Sequence, residues 1–242
     1  MDIDKPPRTV WHGFPDVLIH ADESTVKGNV DYLAAKAGDV QAARRLVEAT
    51  LNEKAVATIA GTLADSNAWI ASVHAHEAEG INRIPAVLAE VLAERLGLQA
   101  EESVVQINRS GHTGAGGYHR LAHPALFDGE VERNRNYFLV DDFVGQGGTI
   151  ANLKGFIEIK GGIAILASTL TGKPYSAKLS LEQTTLSALR AKHGDKLENW
   201  WKETFGYGFE FLTESEARYL ERADEAQLIR DRLVAARQAG ND

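Results

Sequence analysis

Apolar and polar positions along the chain alternate between two periods. Residues 1–16 carry Pro6, Pro7, Gly13 and Pro15 and read as irregular, and VLIH (17–20) follows as a short strand. From Asp31 to Glu53 the run DYLAAKAGDVQAARRLVEATLNE is alanine-rich and predicts helix, interrupted at Gly38. Ala42, Leu46, Ala49 and Val56 fall roughly on one face of it. The pattern then shortens. WIASVHA (69–75) reads as a buried strand, HEAEGIN (76–82) as a polar turn, and RIPAVLAEVLAERLGL (83–98) as a helix with Pro85 in its first turn and Gly97 at its end. ESVVQINR (102–109) is the next expected strand, followed by a stretch poor in apolar residues (110–136). YFLVDD (137–142) predicts a strand, FVGQGGT (143–149) a glycine-rich turn, IANLKGFIEIKG (150–161) a helix and GIAILASTLT (162–171) another buried strand. Strands alternating with helices predict a parallel sheet with crossover helices, hence an α/β core.

The last third changes character. Residues 179–201 and 213–239 predict helix, joined by the aromatic run WWKETFGYGFEFLT (200–213). Three units are expected: an N-terminal segment (1–68), an α/β core (69–174) and a helical C-terminal appendage (175–242). The aromatic residues Trp200, Trp201, Phe205, Tyr207, Phe209 and Phe211 are expected to anchor the appendage by burial, with stacking on a nucleobase-like ring as the functional alternative. The charge-rich helix 213–238 has apolar positions at Ala217, Leu220, Ala226, Ile229 and Leu233, as expected of a solvated helix with one packed face.

Composition narrows the function classes. The 242 residues are 44% hydrophobic and 25% charged, ordinary for a water-soluble globular chain. No apolar run reaches the roughly 20 residues that span a bilayer. MDIDKPPRTVWHGFPD has neither the basic start nor the apolar centre of a signal peptide, and the absence of cysteine fits a cytoplasmic protein. Zero cysteines exclude disulfides, thiolate metal sites and cysteine nucleophiles. The net charge of −8 argues against nonspecific nucleic-acid binding, but not against an anionic small molecule held by backbone N–H groups.

The chemistry concentrates in YFLVDDFVGQGGTIANL (137–153). A strand runs into two adjacent carboxylates, Asp141 and Asp142, and a turn with Gly145, Gly147 and Gly148 leads through Thr149 into a helix. Ligands of open parallel sheets bind beyond the carboxyl ends of the strands. Glycines allow backbone N–H groups to turn toward an anion, and the helix N-terminus adds a favourable dipole. Carboxylates at the mouth of such a turn can accept from a vicinal diol and stand near magnesium. Diol, phosphate and metal within one short stretch point to a ribose 5-phosphate ligand.

The segment VDDFVGQGGT (140–149) resembles the signature of the type I phosphoribosyltransferases: an apolar strand, two acids, two apolar residues, two variable residues, then Gly-Gly-Thr. The resemblance implies a parallel-sheet core of that type with helical N- and C-terminal additions. It implies that Asp141 and Asp142 hold the ribose hydroxyls of phosphoribosyl pyrophosphate, with Mg2+ beside them. Gly145, Gln146, Gly147, Gly148 and Thr149 would wrap the 5-phosphate. Two positions depart from the pattern. Gln146 stands where a threonine or serine usually contacts the phosphate, and Gly145 stands where the hypoxanthine-guanine enzymes carry an aspartate facing the purine.

Beyond the motif, the strand–loop–helix order of 69–97 matches the family's pyrophosphate loop, here His74 to Arg83, with His76, Gly80 and Arg83 as candidate contacts. Glu79 replaces the usual basic residue there and would repel pyrophosphate unless magnesium intervenes or Arg83 compensates. Residues 110–136 lie where the family places a mobile catalytic loop, with His119 and Arg120 as catalytic candidates; these, His112, His123 and Arg109, a further candidate pyrophosphate contact, could reach a pyrophosphate. The pairs His74/His76 and His20/Asp22 have the alternation of a metal pair but no third ligand. GHTGAGG (111–117) does not fit a dinucleotide fingerprint, and TGK (171–173) lacks the rest of a P-loop.

The expected activity is therefore a magnesium-dependent glycosyl transfer from phosphoribosyl pyrophosphate to a nitrogen acceptor such as a nucleobase, with release of pyrophosphate. Two alternatives stay open: a regulatory protein that binds phosphoribosyl pyrophosphate or a nucleotide without turnover, and a nucleotide hydrolase that frees the base. The resemblance further implies a homodimer, while the net charge and the lack of a long apolar run leave neither nucleic acid nor membrane expected as partner.

Overall fold

The computed structural model describes residues 5–73, 76–77, 80–108 and 116–239. In chain order the elements are β1 (Leu18–Ala21), α1 (Glu23–Lys27), α2 (Tyr32–Lys36), α3 (Val40–Thr50), α4 (Glu53–Leu63), β2 (Trp69–Ser72), β3 (His76–Glu77), β4 (Gly80–Ile81), α5 (Ile84–Leu96), β5 (Gln99–Glu101), β6 (Val105–Gln106), α6 (Gly117–Ala122), β7 (Phe127–Asp128), β8 (Asn136–Val144), α7 (Gly148–Ile159), β9 (Ile163–Gly172), α8 (Gln183–Phe205), α9 (Glu214–Glu221) and α10 (Ala226–Ala239). Among the described residues the central sheet has five strands in the order β1-β9-β8-β2-β5, all parallel. The expected α/β architecture with a parallel sheet is present.

Strand β8 lies at its centre, and Tyr137, Phe138, Leu139 and Val140 are all fully buried. Residues buried on both faces are what parallel strands covered by helices require. One face packs against α3 and α5 through Leu46, Val47, Ile84, Leu88 and Leu92, joined by Phe138 and Val140 from β8. The other face packs against α7 through Ile150, Leu153, Phe156 and Ile157, joined by Tyr137 and Leu139. From β2 the chain moves outward to β5, then returns across β2 to β8 and continues the other way to β9. The direction of winding thus reverses between β2 and β8, and their carboxyl ends open a crevice there.

Several elements differ from the expectations. The sheet strand beyond β2 is β5, three residues upstream of the expected 102–109; Val105–Gln106 instead pairs antiparallel with Phe127–Asp128. The reason is burial: β5 is a polar edge strand with half-exposed side chains, so its sequence carries no apolar alternation. Residues 76–82, expected as a turn, contain β3 and β4, which pair antiparallel. The stretch 110–136, expected as a mobile loop, holds α6 and β7. The helix expected over 31–53 breaks at Gly38, as anticipated, where the backbone turns to φ 115°, and a separate α4 follows, capped by Asn52. The C-terminal helix expected over 213–239 is divided into α9 and α10.

The C-terminal helices form a third packed cluster around Trp201, Phe205 and Phe209, all buried, with the Trp201 and Phe205 rings 4.2 Å apart. The aromatic run thus anchors this part of the chain. Leu121 and Ala122 of α6 belong to the same cluster, which fixes α6 to the C-terminal helices. The N-terminal segment runs back across the molecule. The Pro7 carbonyl lies so close to Gly155 of α7 that a Cβ there would meet it at 2.1 Å. Trp11 donates through Nε1 to the Leu212 carbonyl at 2.9 Å.

Candidate functional site

At the carboxyl end of β8 lies a cavity of about 500 Å³. Its walls include Asp141, Asp142, Phe143, the turn Gly145–Thr149, Asn82, Arg120, Lys36 and Tyr207. The site candidates of segment 141–149 and Arg120 therefore meet in one place. The reason is local: β8 delivers the carboxylates, and Gly147, at φ 80°, turns the chain abruptly into α7. Only glycine takes that conformation without strain. The N-cap residue is Gly147, which has no side chain, and among the described residues no side-chain cap bonds the first N–H groups of α7, an arrangement that suits an anion.

The two carboxylates differ. Asp141 is buried, and its Oδ1 accepts from the Asp142 N–H at 2.8 Å. Burial and the neighbouring Asp142 charge push its carboxyl well above the usual carboxylate range. For Asp142 burial also works upward, but the Lys36 ammonium and the Asn82 amide outweigh it and hold this carboxyl below its ordinary value. Lys36 Nζ stands 3.2 Å and Asn82 Nδ2 2.8 Å from the same Oδ2. The two carboxyls are thus shifted in opposite directions, although they are sequence neighbours.

Arg120 reaches the turn from α6. A Cβ on Gly145 would sit 2.3 Å from its Nη1, so the absence of a side chain at Gly145 makes room for this guanidinium. Burial lowers the Arg120 pKa, while Asp142 and Glu23 favour its charge. Glu23 bonds both Lys27 and Lys173 at the cavity rim. Below the turn, Arg8 and Glu216 form a bidentate pair at 3.0 and 3.1 Å with both side chains 3% exposed. Glu216 Oε1 would be 2.6 Å from a Cβ on Gly148, and Thr213 Oγ1 donates to the Gln146 carbonyl at 2.6 Å. The turn therefore rests on residues from both ends of the chain. The side-chain oxygen of Gln146 and the hydroxyl of Thr171, both in residues lining the cavity, are buried without a hydrogen-bond partner among the described residues.

Other candidates lie elsewhere. His119 does not line the cavity; its ring stacks on His123 with centroids 4.2 Å apart. Arg83 precedes α5, outside the cavity wall, and its backbone N–H donates to the Ala35 carbonyl. His76 and Gly80 fall in β3 and β4, while Arg109, His112, His74 and Glu79 lie outside the described residues. His20 and Asp22 do not form a metal pair: His20 Nδ1 accepts from the Asn52 N–H, and Asp22 caps α1 through Thr25. Among the described residues no group of three or more His, Asp or Glu could hold a metal ion. Tyr207 is the aromatic residue of 200–213 that reaches the cavity, but Arg8 lies over its ring at 5.0 Å. Arg8, Lys36, Asn82 and Glu216 were not among the sequence candidates; their partners are 60 to 208 residues away, and no local spacing announces them.

No family model matches the chain. It is 42% identical over 230 residues to Protein TraN of Escherichia coli, covering 95% of this chain and 51% of that protein. It is 35% identical over 151 residues to an uncharacterized protein of Haemophilus influenzae, covering 62% of this chain and 34% of that protein. The chain thus spans about half the length of the first of these relatives and about a third of the second. Among solved structures it is similar to the adenine phosphoribosyltransferase of Leishmania tarentolae, with a TM-score of 0.37 and 14% identity over 74% of this chain and 71% of that one. A second such enzyme, from Thermoanaerobacter pseudethanolicus, gives a TM-score of 0.33 and 20% identity over 51% of this chain and 71% of that one. At those scores the likeness is one of outline, and the functional reading rests on the site's own residues.

Proposed function

We propose that the chain binds phosphoribosyl pyrophosphate and transfers its ribosyl phosphate to a nitrogen acceptor. The observation that carries this reading is that the uncapped N-terminus of α7, its glycine turn and an ionised Asp142 share one cavity. The turn suits a phosphate monoester, and Asp141 and Asp142 suit the vicinal hydroxyls beside it. The upward shift of Asp141 favours its protonated form, which can donate as well as accept, while the Asp142 carboxylate accepts only. In the reaction the acceptor nitrogen forms a bond to the anomeric carbon. The carbon–oxygen bond to pyrophosphate breaks with its electron pair on the leaving group, and the acceptor N–H proton is released. Asp142 would stabilise positive charge developing on the sugar, and Arg120 negative charge nearby. The acids present fit Mg2+ held jointly by one carboxylate and substrate phosphates, the usual arrangement for this ion; the metal would neutralise the leaving pyrophosphate.

A second reading is favoured by one observation. Asp142 Oδ2 is already engaged by Lys36 and Asn82, as in a site that holds its ligand without turnover. The test is to incubate the protein with phosphoribosyl pyrophosphate, Mg2+ and a panel of nucleobases and to follow pyrophosphate. Release that depends on one base supports transfer. Binding with no release under any base supports the second reading, and no binding contradicts both.

A further inference from the structure

α8 ends on Gly206, at φ 86°, and Tyr207 follows this reversal. The Tyr207 ring belongs to the C-terminal cluster: it meets Trp201 edge-on with centroids 6.1 Å apart, and Phe205 at 6.4 Å. Tyr207 also lines the cavity, and at 8% exposed it is more than nine-tenths buried. Arg8 lies over its ring at 5.0 Å, so the ring is no platform for stacking, and what Tyr207 offers the cavity is its hydroxyl. A buried phenol ordinarily finds a hydrogen-bond partner. This one has none among the described residues. Burial pushes it above the ordinary tyrosine range, against the pull of the Arg8 charge, so it keeps its proton and can donate. Its neighbours point the same way. Arg8 commits every N–H group but one, to Asn152, the Phe211 carbonyl and both oxygens of Glu216. The remaining N–H is on Nη2, the atom that would lie 3.5 Å from a Cβ on Gly148, the first residue of α7.

We infer that Tyr207 is a ligand-binding residue, its hydroxyl donating to a phosphate monoester seated at the start of α7, so that the C-terminal helices form part of the site and not only a support behind it. This rests on the phosphate reading of the turn given above and adds to it a residue from outside the strand–turn–helix segment. Glu216 stands close to the same place, its Oε1 2.6 Å from a Cβ on Gly148, and would repel an arriving anion. Its charge is offset by the two Arg8 bonds and the Thr213 N–H. A phenol that keeps its proton adds a donor there without adding a charge, and a hydrogen bond to a phosphate dianion is of the strong, charge-assisted kind. The bond would also tie the cluster around Trp201 to the bound ligand, since Tyr207 belongs to both.

The test uses the full chain, wild type and Tyr207→Phe, with ribose 5-phosphate and inorganic phosphate titrated separately by calorimetry. Phenylalanine keeps the ring and its contacts with Trp201 and Phe205 and removes only the hydroxyl. The expected result is a loss of ribose 5-phosphate affinity of about ten- to a hundredfold, the scale of a lost charge-assisted hydrogen bond. Thermal melting without ligand separates this from a structural role. A hydroxyl with no partner in the protein contributes nothing to the fold, so the variant should melt at the wild-type temperature or above it. Affinity within about twofold of wild type would overturn the inference and leave the phosphate reading standing. A variant that melts lower, or fails to fold, would make the hydroxyl structural and overturn the inference as well. Wild type that binds inorganic phosphate but not ribose 5-phosphate would sink the donor reading; loss of inorganic phosphate in Tyr207→Phe would then still support Tyr207 as its ligand. Wild type that binds neither would sink both.

Discussion

Replacing Arg8 by methionine tests how the two ends of the chain support the phosphate turn. The guanidinium gives two hydrogen bonds to Glu216, one through Nε to Asn152 Oδ1 and one to the Phe211 carbonyl at 3.2 Å. Removing one partner of a buried ion pair costs about 3–5 kcal/mol, because the other charge is left without compensation. Two features place this site at the lower end. Glu216 keeps the Thr213 N–H at 2.9 Å, and methionine retains much of the arginine stem, so little cavity opens. The expected loss is about 3 kcal/mol, or a fall in Tm of roughly 6–12 °C for a chain of this size. Urea denaturation should show a lower midpoint with an unchanged slope. Adding Glu216→Gln to Arg8→Met removes the stranded charge and should restore part of the loss. A loss under about 1 kcal/mol, or further destabilisation on adding Glu216→Gln, would refute the reasoning.

Other outcomes follow from the same structure. Burial lowers the His20 imidazole to about 4, from an ordinary 6.5. Between those values the unfolded chain takes up the proton, so stability is full above about pH 6.5 and falls by roughly 3 kcal/mol as pH drops toward 4. His20→Gln should flatten that part of the profile in denaturation measured from pH 7 to 4, and an unchanged slope would contradict it. Gly147→Ala forces an L-residue to φ 80° and sets its Cβ 2.3 Å from Leu179 Cδ2; calorimetry should show lower stability by at least about 1–2 kcal/mol and loss of ribose 5-phosphate binding. Trp201→Ala empties the centre of the C-terminal cluster and should cost about 3–5 kcal/mol in equilibrium unfolding.

The sequence was most informative where chemistry and period coincide locally. From Tyr137 to Thr171 each strand, turn and helix was expected within two residues of its observed bounds, because continuous apolar runs and a glycine turn mark a buried strand–helix–strand unit. The same stretch placed the carboxylates and the turn that meet in the cavity. What escaped was set by distance along the chain. Lys36 reads as a solvated lysine ending a short alanine-rich helix, and only the fold sets it against Asp142, 106 residues on. Arg8 and Glu216 look like surface charges until the N-terminal segment crosses α7. Glu216 also closes the capping box of α9 with Thr213, a pattern readable in the sequence as Thr-Glu-Ser-Glu but giving no sign of its arginine partner. β5 was missed because a short polar edge strand has no period to detect, and α6 because its packed face, Leu121 and Ala122, is only two residues wide.

The proposed function places phosphoribosyl pyrophosphate in the crevice beyond β8. Calorimetric titration of that compound, with and without Mg2+, into wild type and into Asp141→Asn with Asp142→Asn tests it most directly. Magnesium-dependent binding to the wild type should be lost in the double variant, while circular dichroism of the two proteins remains the same. Equal affinity in both proteins, or no binding to the wild type with Mg2+ present, would contradict it.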